Sequence, residues 1–218
     1  MIITRRAFTA ALSLTGLSLF AGLPPLGFIP DAMAQGPSDV AKPVSLPDMA
    51  LGPANATVTI TEYASMTCPH CAAFNEGVFP KIKSEYIDTG KVRYVFREFP
   101  LDFKAAEGSM LSRCIARDDS AKYFAVTDML FKQQNDWVVK NTAETLIRIG
   151  KQAGLSQQAV EDCLNDQALL DKIEADQKYA AEVLKVNSTP TFFLNGEKIK
   201  GGASFEDFDK KIKSLLKS

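Results

Sequence analysis

The stretch that most restricts this chain is "TVTITEYASMTCPHC", residues 57 to 71, where alternating β-branched residues lead straight into a Cys-Pro-His-Cys pair. The alternation predicts a strand over 57–63. Pro69, directly after the first cysteine, suits the first turn of a helix, because its missing N–H costs nothing there. Cys68 is thereby predicted at a strand-to-helix junction. At such a junction the free amides and the dipole of the helix stabilise an anion.

The flanking sequence extends this unit. The helix opened by Pro69 is expected to run to about Thr89 and close at Gly90, bent at Pro80, which has no amide hydrogen to return to the preceding turn. "KVRYVFR" (91–97) reads as a second strand, so strand, helix and strand make a βαβ unit with two parallel strands. Residues 103 to 186 change character. Tyr123, Val126, Leu130 and Phe131, then Leu146, Ile149 and Ala153, repeat at helical spacing and predict an insertion of four or five helices. "TFFLNGEKIKGG" (191–202) returns to strand, with Asn195 and Gly196 as the strongest two-residue hairpin signal. Ser204, with Asp207 following, caps a last helix whose Phe205, Phe208, Ile212 and Leu215 form one apolar stripe. Before the first strand, Pro37, Pro43, Pro47, Gly52 and Pro53 leave residues 35–54 as an N-terminal arm with at most a short edge strand.

Three kinds of chemistry compete for the cysteine pair. A structural zinc site needs about four ligands, usually in two clusters. The chain has one histidine, His70, already inside the motif, and Cys114 and Cys163 form no second cluster, so no metal is expected. A purely structural bridge closing so small a loop would restrain the unfolded chain little. An electron-passing dithiol fits the placement: Cys68 as an exposed thiolate nucleophile, and Cys71, one turn into the helix, as a more sheltered resolving sulfur. The His70 imidazole, positive or hydrogen-bonding, is expected to favour the thiolate further. Stabilising the dithiol makes the disulfide easier to reduce, by about 30 mV for each 1.4 kcal/mol, so the expected direction is a strong oxidant. Glu62 falls on the strand face of Val58 and Ile60, where the alternation asks for an apolar side chain. As a buried acid of raised pKa it could take or supply the proton of Cys71; the alternative is a strand that ends early and a solvated Glu62.

Residues 1–34 read as an export signal, with Arg5 and Arg6, no charge from Ala7 to Pro30, and small residues at Ala32 and Ala34 before a cut at Gln35. A retained membrane anchor is the competing reading of so long an uncharged run, and Pro24, Pro25 and the cleavage pattern speak against it. "TRRAF" resembles a twin-arginine signal, which leaves the general secretory and twin-arginine routes both open. Export to the periplasm would put all four cysteines where disulfides persist. The formal charge of −1 gives no basic footprint for nucleic acid.

"EYASMTCPHC", the helical stretch and then "STPTFFLNGEKIKGG", in that order, resemble the DsbA-like thiol:disulfide oxidoreductases of the thioredoxin superfamily over about residues 50 to 216. The resemblance implies an α/β, thioredoxin-like fold with a large helical insertion. Residues 55–102 and 187–218 would form the thioredoxin-like domain and 103–186 the inserted one. Cys68 matches the family's nucleophile, Cys71 its resolving cysteine, Pro69 and His70 the dipeptide between them, with His70 tuning reactivity, and Glu62 the buried acid below the site. Thr189 and Pro190 match a loop whose proline is cis and lies against the disulfide, and whose backbone would pair with an extended substrate. Arg97, on the neighbouring strand, is the candidate for the basic group that some relatives hold near the acid. Cys114 and Cys163 resemble a subgroup's second disulfide; the alternative is two buried, inert thiols. Trp137 reads as core of the insertion.

The implied activity is that of an exported, monomeric oxidant without a cofactor, donating its Cys68–Cys71 disulfide to reduced, unfolded secreted proteins. A quinone-linked membrane thiol oxidase of the DsbB type would reoxidise it. Two rivals stay open. One is an isomerase or reductase kept reduced by a different partner, although no obvious dimerisation domain precedes Thr57. The other is a holdase-like protein that binds clients in an apolar groove around Pro190.

Overall fold

The computed structural model describes residues 37–42, 45–199 and 202–217; the export signal read at residues 1–34 lies outside them. Five strands form one mixed sheet: β1 (Met49–Leu51), β2 (Val58–Ala64), β3 (Val92–Glu98), β4 (Thr191–Leu194) and β5 (Glu197–Ile199). Their spatial order is β1-β3-β2-β4-β5. β2 and β3 are parallel and the other neighbours antiparallel. Within the N-terminal arm, α1 (Pro37–Ala41) precedes β1, which adds an edge to β3.

The connection from β2 to β3 is broken where proline demands it. Instead of one helix to Thr89, the chain forms α2 (Pro69–Gly77), α3 (Phe79–Ile82) and a π-helical turn (Lys83–Ile87). Pro80 cannot donate to the turn before it, so the helix restarts around Val78. Gly90, at φ +76°, then ends it in the left-handed region that glycine enters without steric cost. Between β3 and β4 lie α4 (Phe103–Ala116), α5 (Ser120–Lys132), α6 (Gln134–Trp137), α7 (Thr142–Gln152), α8 (Gln157–Leu164) and α9 (Gln167–Glu182). Asp102, Asp119, Ser156 and Asp166 cap α4, α5, α8 and α9 by accepting a first-turn amide. After the β4–β5 hairpin, α10 (Phe205–Leu215) starts in a reciprocal capping box between Ser204 and Asp207.

The two faces of the sheet bury different partners. Val58, Ile60 and Glu62 of β2 share a face with Val92, Tyr94 and Phe96 of β3 and with Phe192 and Leu194 of β4. Phe74, Ile82, Tyr86, Phe208 and Ile212 cover that face. Tyr63 and Phe193 turn the other way, toward Val40, Phe99, Ala180, Leu184 and Val186. The insertion has its own core of Leu111, Leu130, Phe131, Trp137, Leu146 and Ile149, and this core continues into Met66, Cys68, Cys71 and Phe96. Trp137 is fully buried there and its indole N–H donates to the Leu130 carbonyl at 2.8 Å. The helical insertion therefore packs directly behind the cysteine pair.

A buried ion pair fastens the insertion to the sheet. Arg113 of α4 grips Glu98 at the end of β3 through Nε at 2.5 Å and Nη2 at 2.7 Å. The Tyr123 hydroxyl of α5 donates to the same carboxylate at 2.6 Å. Burial alone would raise the Glu98 pKa, but the Arg113 charge and these hydrogen bonds hold it below the usual carboxylate value. No helix among the described residues is long and apolar enough to cross a membrane.

Candidate active site

Cys68 occupies the N-cap of α2 with extended backbone, φ −77° and ψ 120°. Its carbonyl accepts the amides of Cys71 and Ala72, each at 3.2 Å. Cys68 and Cys71 are free thiols in this structure. Cys71 is fully buried and Cys68 is 5% exposed, so the attacking sulfur shows solvent only a narrow opening rather than the open face expected of it.

The surroundings split the two sulfurs in proton affinity. Cys68 is pulled down from 9.0 to about 5. The Cys71 thiol contributes most by hydrogen-bonding to it; desolvation opposes, and Thr189 and the backbone amides of Cys71 and His70 add to the lowering. Cys71 is pushed far up, first by desolvation, then by that same hydrogen bond and by the charges of Glu62 and Cys68. The His70 backbone N–H is among the groups that lower Cys68. The His70 side chain is exposed and lines an adjacent groove.

Thr189 and Pro190 face the sulfur across a cis peptide bond. The Cys68 thiol donates to the Thr189 carbonyl at 3.3 Å. The Thr189 hydroxyl is buried and finds no hydrogen-bond partner. Beside it His70, Ala73, Phe74, Pro190, Phe192 and Ala203 line a groove of about 490 Å³. The Thr67 hydroxyl donates to Asp102 at 2.8 Å, and the residues on either side of Asp102, Leu101 and Phe103, are exposed.

Glu62 lies below the pair, 3% exposed. Burial pushes its carboxyl up to about 8, a hydrogen bond from the Tyr94 hydroxyl opposes the rise, and the nearby Cys68 charge adds to it. Arg97 is not its partner. In register Arg97 stands beside Tyr63, one residue along from Glu62 and hence on the opposite face of the sheet. There its guanidinium is held by Asp48 at 2.9 Å and by the Tyr63 hydroxyl at 2.8 Å. Two residues absent from the sequence-based site therefore belong to it. Tyr94 could be found from the parallel register, which places it diagonally across from Glu62. Gln134, whose side chain reaches the Met66 and Cys68 carbonyls, carries no sequence signal.

Cys114 and Cys163 are joined as a disulfide that ties α4 to α8, with Cα atoms 5.9 Å apart. Among the described residues, no three His, Cys, Asp or Glu side chains gather as a metal ion would require.

A thioredoxin-type sheet carrying a dithiol at a helix N-cap, opposite a cis-proline loop, defines a thiol–disulfide exchange protein. A family model described as thioredoxin matches residues 45–214. The crystal structure of Wolbachia pipientis alpha-DsbA1 superposes with a TM-score of 0.76 at 35% identity, covering 84% of this chain and 96% of that one. Disulfide bond formation protein D of Bacillus subtilis is 26% identical over 192 residues, 86% of this chain and 82% of its own length. A Rickettsia bellii protein, provisionally named a protein-disulfide oxidoreductase, is 36% identical over 150 residues, 68% of this chain. The matched stretch spans 57% of that rickettsial relative's length. The chain belongs to the DsbA-like family of the thioredoxin superfamily.

Proposed function

We propose that this protein is an exported thiol oxidant that donates the Cys68–Cys71 disulfide to reduced, unfolded polypeptides. The observation that supports the reading is the placement of Cys68 at the N-cap of α2, its thiol donating to the Thr189 carbonyl of the cis-proline loop, whose Thr189 and Pro190 line the adjacent groove; the surroundings also lower the Cys68 pKa to about 5. A client thiolate attacks Cys68 Sγ and breaks its bond to Cys71, which leaves as a thiolate and takes a proton. Glu62, with a pKa of about 8, is the proposed source of that proton at neutral pH. A second client thiolate then attacks the client sulfur of the mixed disulfide. Cys68 departs as a thiolate, and its low proton affinity makes it a good leaving group. Two client thiols become one disulfide, and the enzyme keeps both electrons as the Cys68 thiolate and the Cys71 thiol.

The extended client would lie along the Thr189 backbone and press apolar side chains into the groove at Pro190, a strand-addition mode tolerant of sequence. Removal of residues 1–34 would leave a periplasmic protein acting as a monomer, and a quinone-linked membrane thiol oxidase would restore the bridge. Purified oxidised protein mixed with a reduced, denatured disulfide protein tests this. The expected result is client disulfide formation by the wild type and none by Cys68→Ser. Undiminished client oxidation by Cys68→Ser would refute the reading; client binding without oxidation by the wild type would favour the holdase.

A further inference from the structure

Besides packing behind the cysteine pair, the insertion reaches the backbone of the nucleophile through the side-chain amide of Gln134. Gln134, the first residue of α6, donates from Nε2 to the Met66 carbonyl at 2.9 Å and to the Cys68 carbonyl at 3.0 Å. Both hydrogens of that NH₂ are therefore committed to the turn that carries the nucleophile. The same short helix holds this turn by packing as well. Trp137, one turn further along, and Met66 are both fully buried. They close on Gly108 of α4 so tightly that a β-carbon there would stand 3.1 Å from the Trp137 ring and 3.2 Å from Met66 Cβ.

The Cys68 carbonyl matters because Cys68 is an N-cap. The sulfur stays at the N-terminal end of α2 only while the Cys68 backbone keeps its extended conformation and its carbonyl accepts the first-turn amides of Cys71 and Ala72. That carbonyl already accepts two helix amides, both at 3.2 Å, and Gln134 supplies a third, shorter bond from the opposite domain. We propose that Gln134 is a positioning residue for thiol–disulfide exchange: it fixes the Cys68 peptide so that the sulfur stays under the α2 amides and against Thr189, and through it the helical insertion sets the redox poise of the dithiol. This rests on Cys68 being the nucleophile of the proposed oxidant.

Gln134→Met keeps the length of the side chain and removes both donors; Gln134→Glu keeps the shape and sets a carboxylate against two carbonyl oxygens. Thiolate absorbance of the reduced protein against pH reads the effect. Both variants should raise the Cys68 midpoint by about half a unit to one unit, which is a threefold to tenfold loss of thiolate preference. The equilibrium with glutathione should move by a similar factor toward the oxidised enzyme. Unchanged midpoints and equilibria in both variants, with only the unfolding temperature lowered, would reduce Gln134 to a structural tie and overturn the proposal. A wild-type midpoint near that of a free thiol would instead sink the proposed function itself, so the two failures are distinguishable.

Discussion

Tyr94 donates the hydrogen bond of its hydroxyl to Glu62 in the fully buried face of the sheet, so the partner of this acid is a neutral phenol. A cation in that place would hold the carboxylate ionised. With a phenol, burial dominates and Glu62 changes protonation close to neutral pH, at about 8.

The first consequence concerns stability. In the unfolded chain Glu62 ionises near 4.5, whereas in the folded protein it holds its proton to about 8. Between those values the folded state binds a proton that the unfolded state has lost, so stability is full below the lower value and falls as pH rises toward the upper one. The loss over the whole window is on the order of 5 kcal/mol. Glu62→Gln is neutral throughout and still accepts from Tyr94. Denaturant midpoints should decline less from acid to mildly alkaline pH in the variant; parallel declines would show that Glu62 is not the titrating group.

The second concerns the phenol. Tyr94→Phe keeps the ring packed between Phe79 and Phe124, whose centroids lie at 4.8 and 5.9 Å, and deletes only the donor. Since that hydrogen bond lowers the Glu62 pKa, its loss should raise the pKa further, by about one unit. Carbon-13 titration of the Glu62 carboxyl checks the direction. Re-formation of the Cys68–Cys71 bridge by a small-molecule oxidant, which requires Cys71 to lose its proton, should shift to higher pH in step. A downward or absent shift would remove Tyr94 from the site.

The third concerns the junction between sheet and insertion. Arg113→Met leaves Glu98 buried opposite Tyr123 with no counter-charge, which should cost about 3–5 kcal/mol. Pairing it with Glu98→Gln should recover much of that loss, because no charge is then left unpaired. Chemical denaturation of both variants measures this. Equal losses in the single and double variants would mean that the ion pair's charge is not what holds α4 to β3.

Much of this architecture was legible because its signals are local. The β2 alternation, the Asn195–Gly196 hairpin and the Ser204 cap each act within a few residues, and the structure contains all three. Pro80 signalled a bend in one helix, where the structure has separate helices α2 and α3, and nothing in the sequence signalled the π-helical turn after them. Glu62 stood out because a charge on an apolar strand face is costly unless something compensates it. Its partner was hidden for a different reason. Choosing between Tyr94 and Arg97 requires the register of two strands, and an offset of one residue exchanges the faces of the sheet. Gln134 was hidden further still, since only the docking of the insertion brings it to Cys68, 66 positions away.

The most direct test is the equilibrium of the purified protein with glutathione buffers of graded redox ratio, read as the fraction of Cys68–Cys71 bridge remaining. A sulfur held ionised at the head of α2 should be half reduced at a potential well above the about −270 mV of a thioredoxin-type donor. A midpoint at or below that value would mean that the bridge resists reduction and that electrons run the other way.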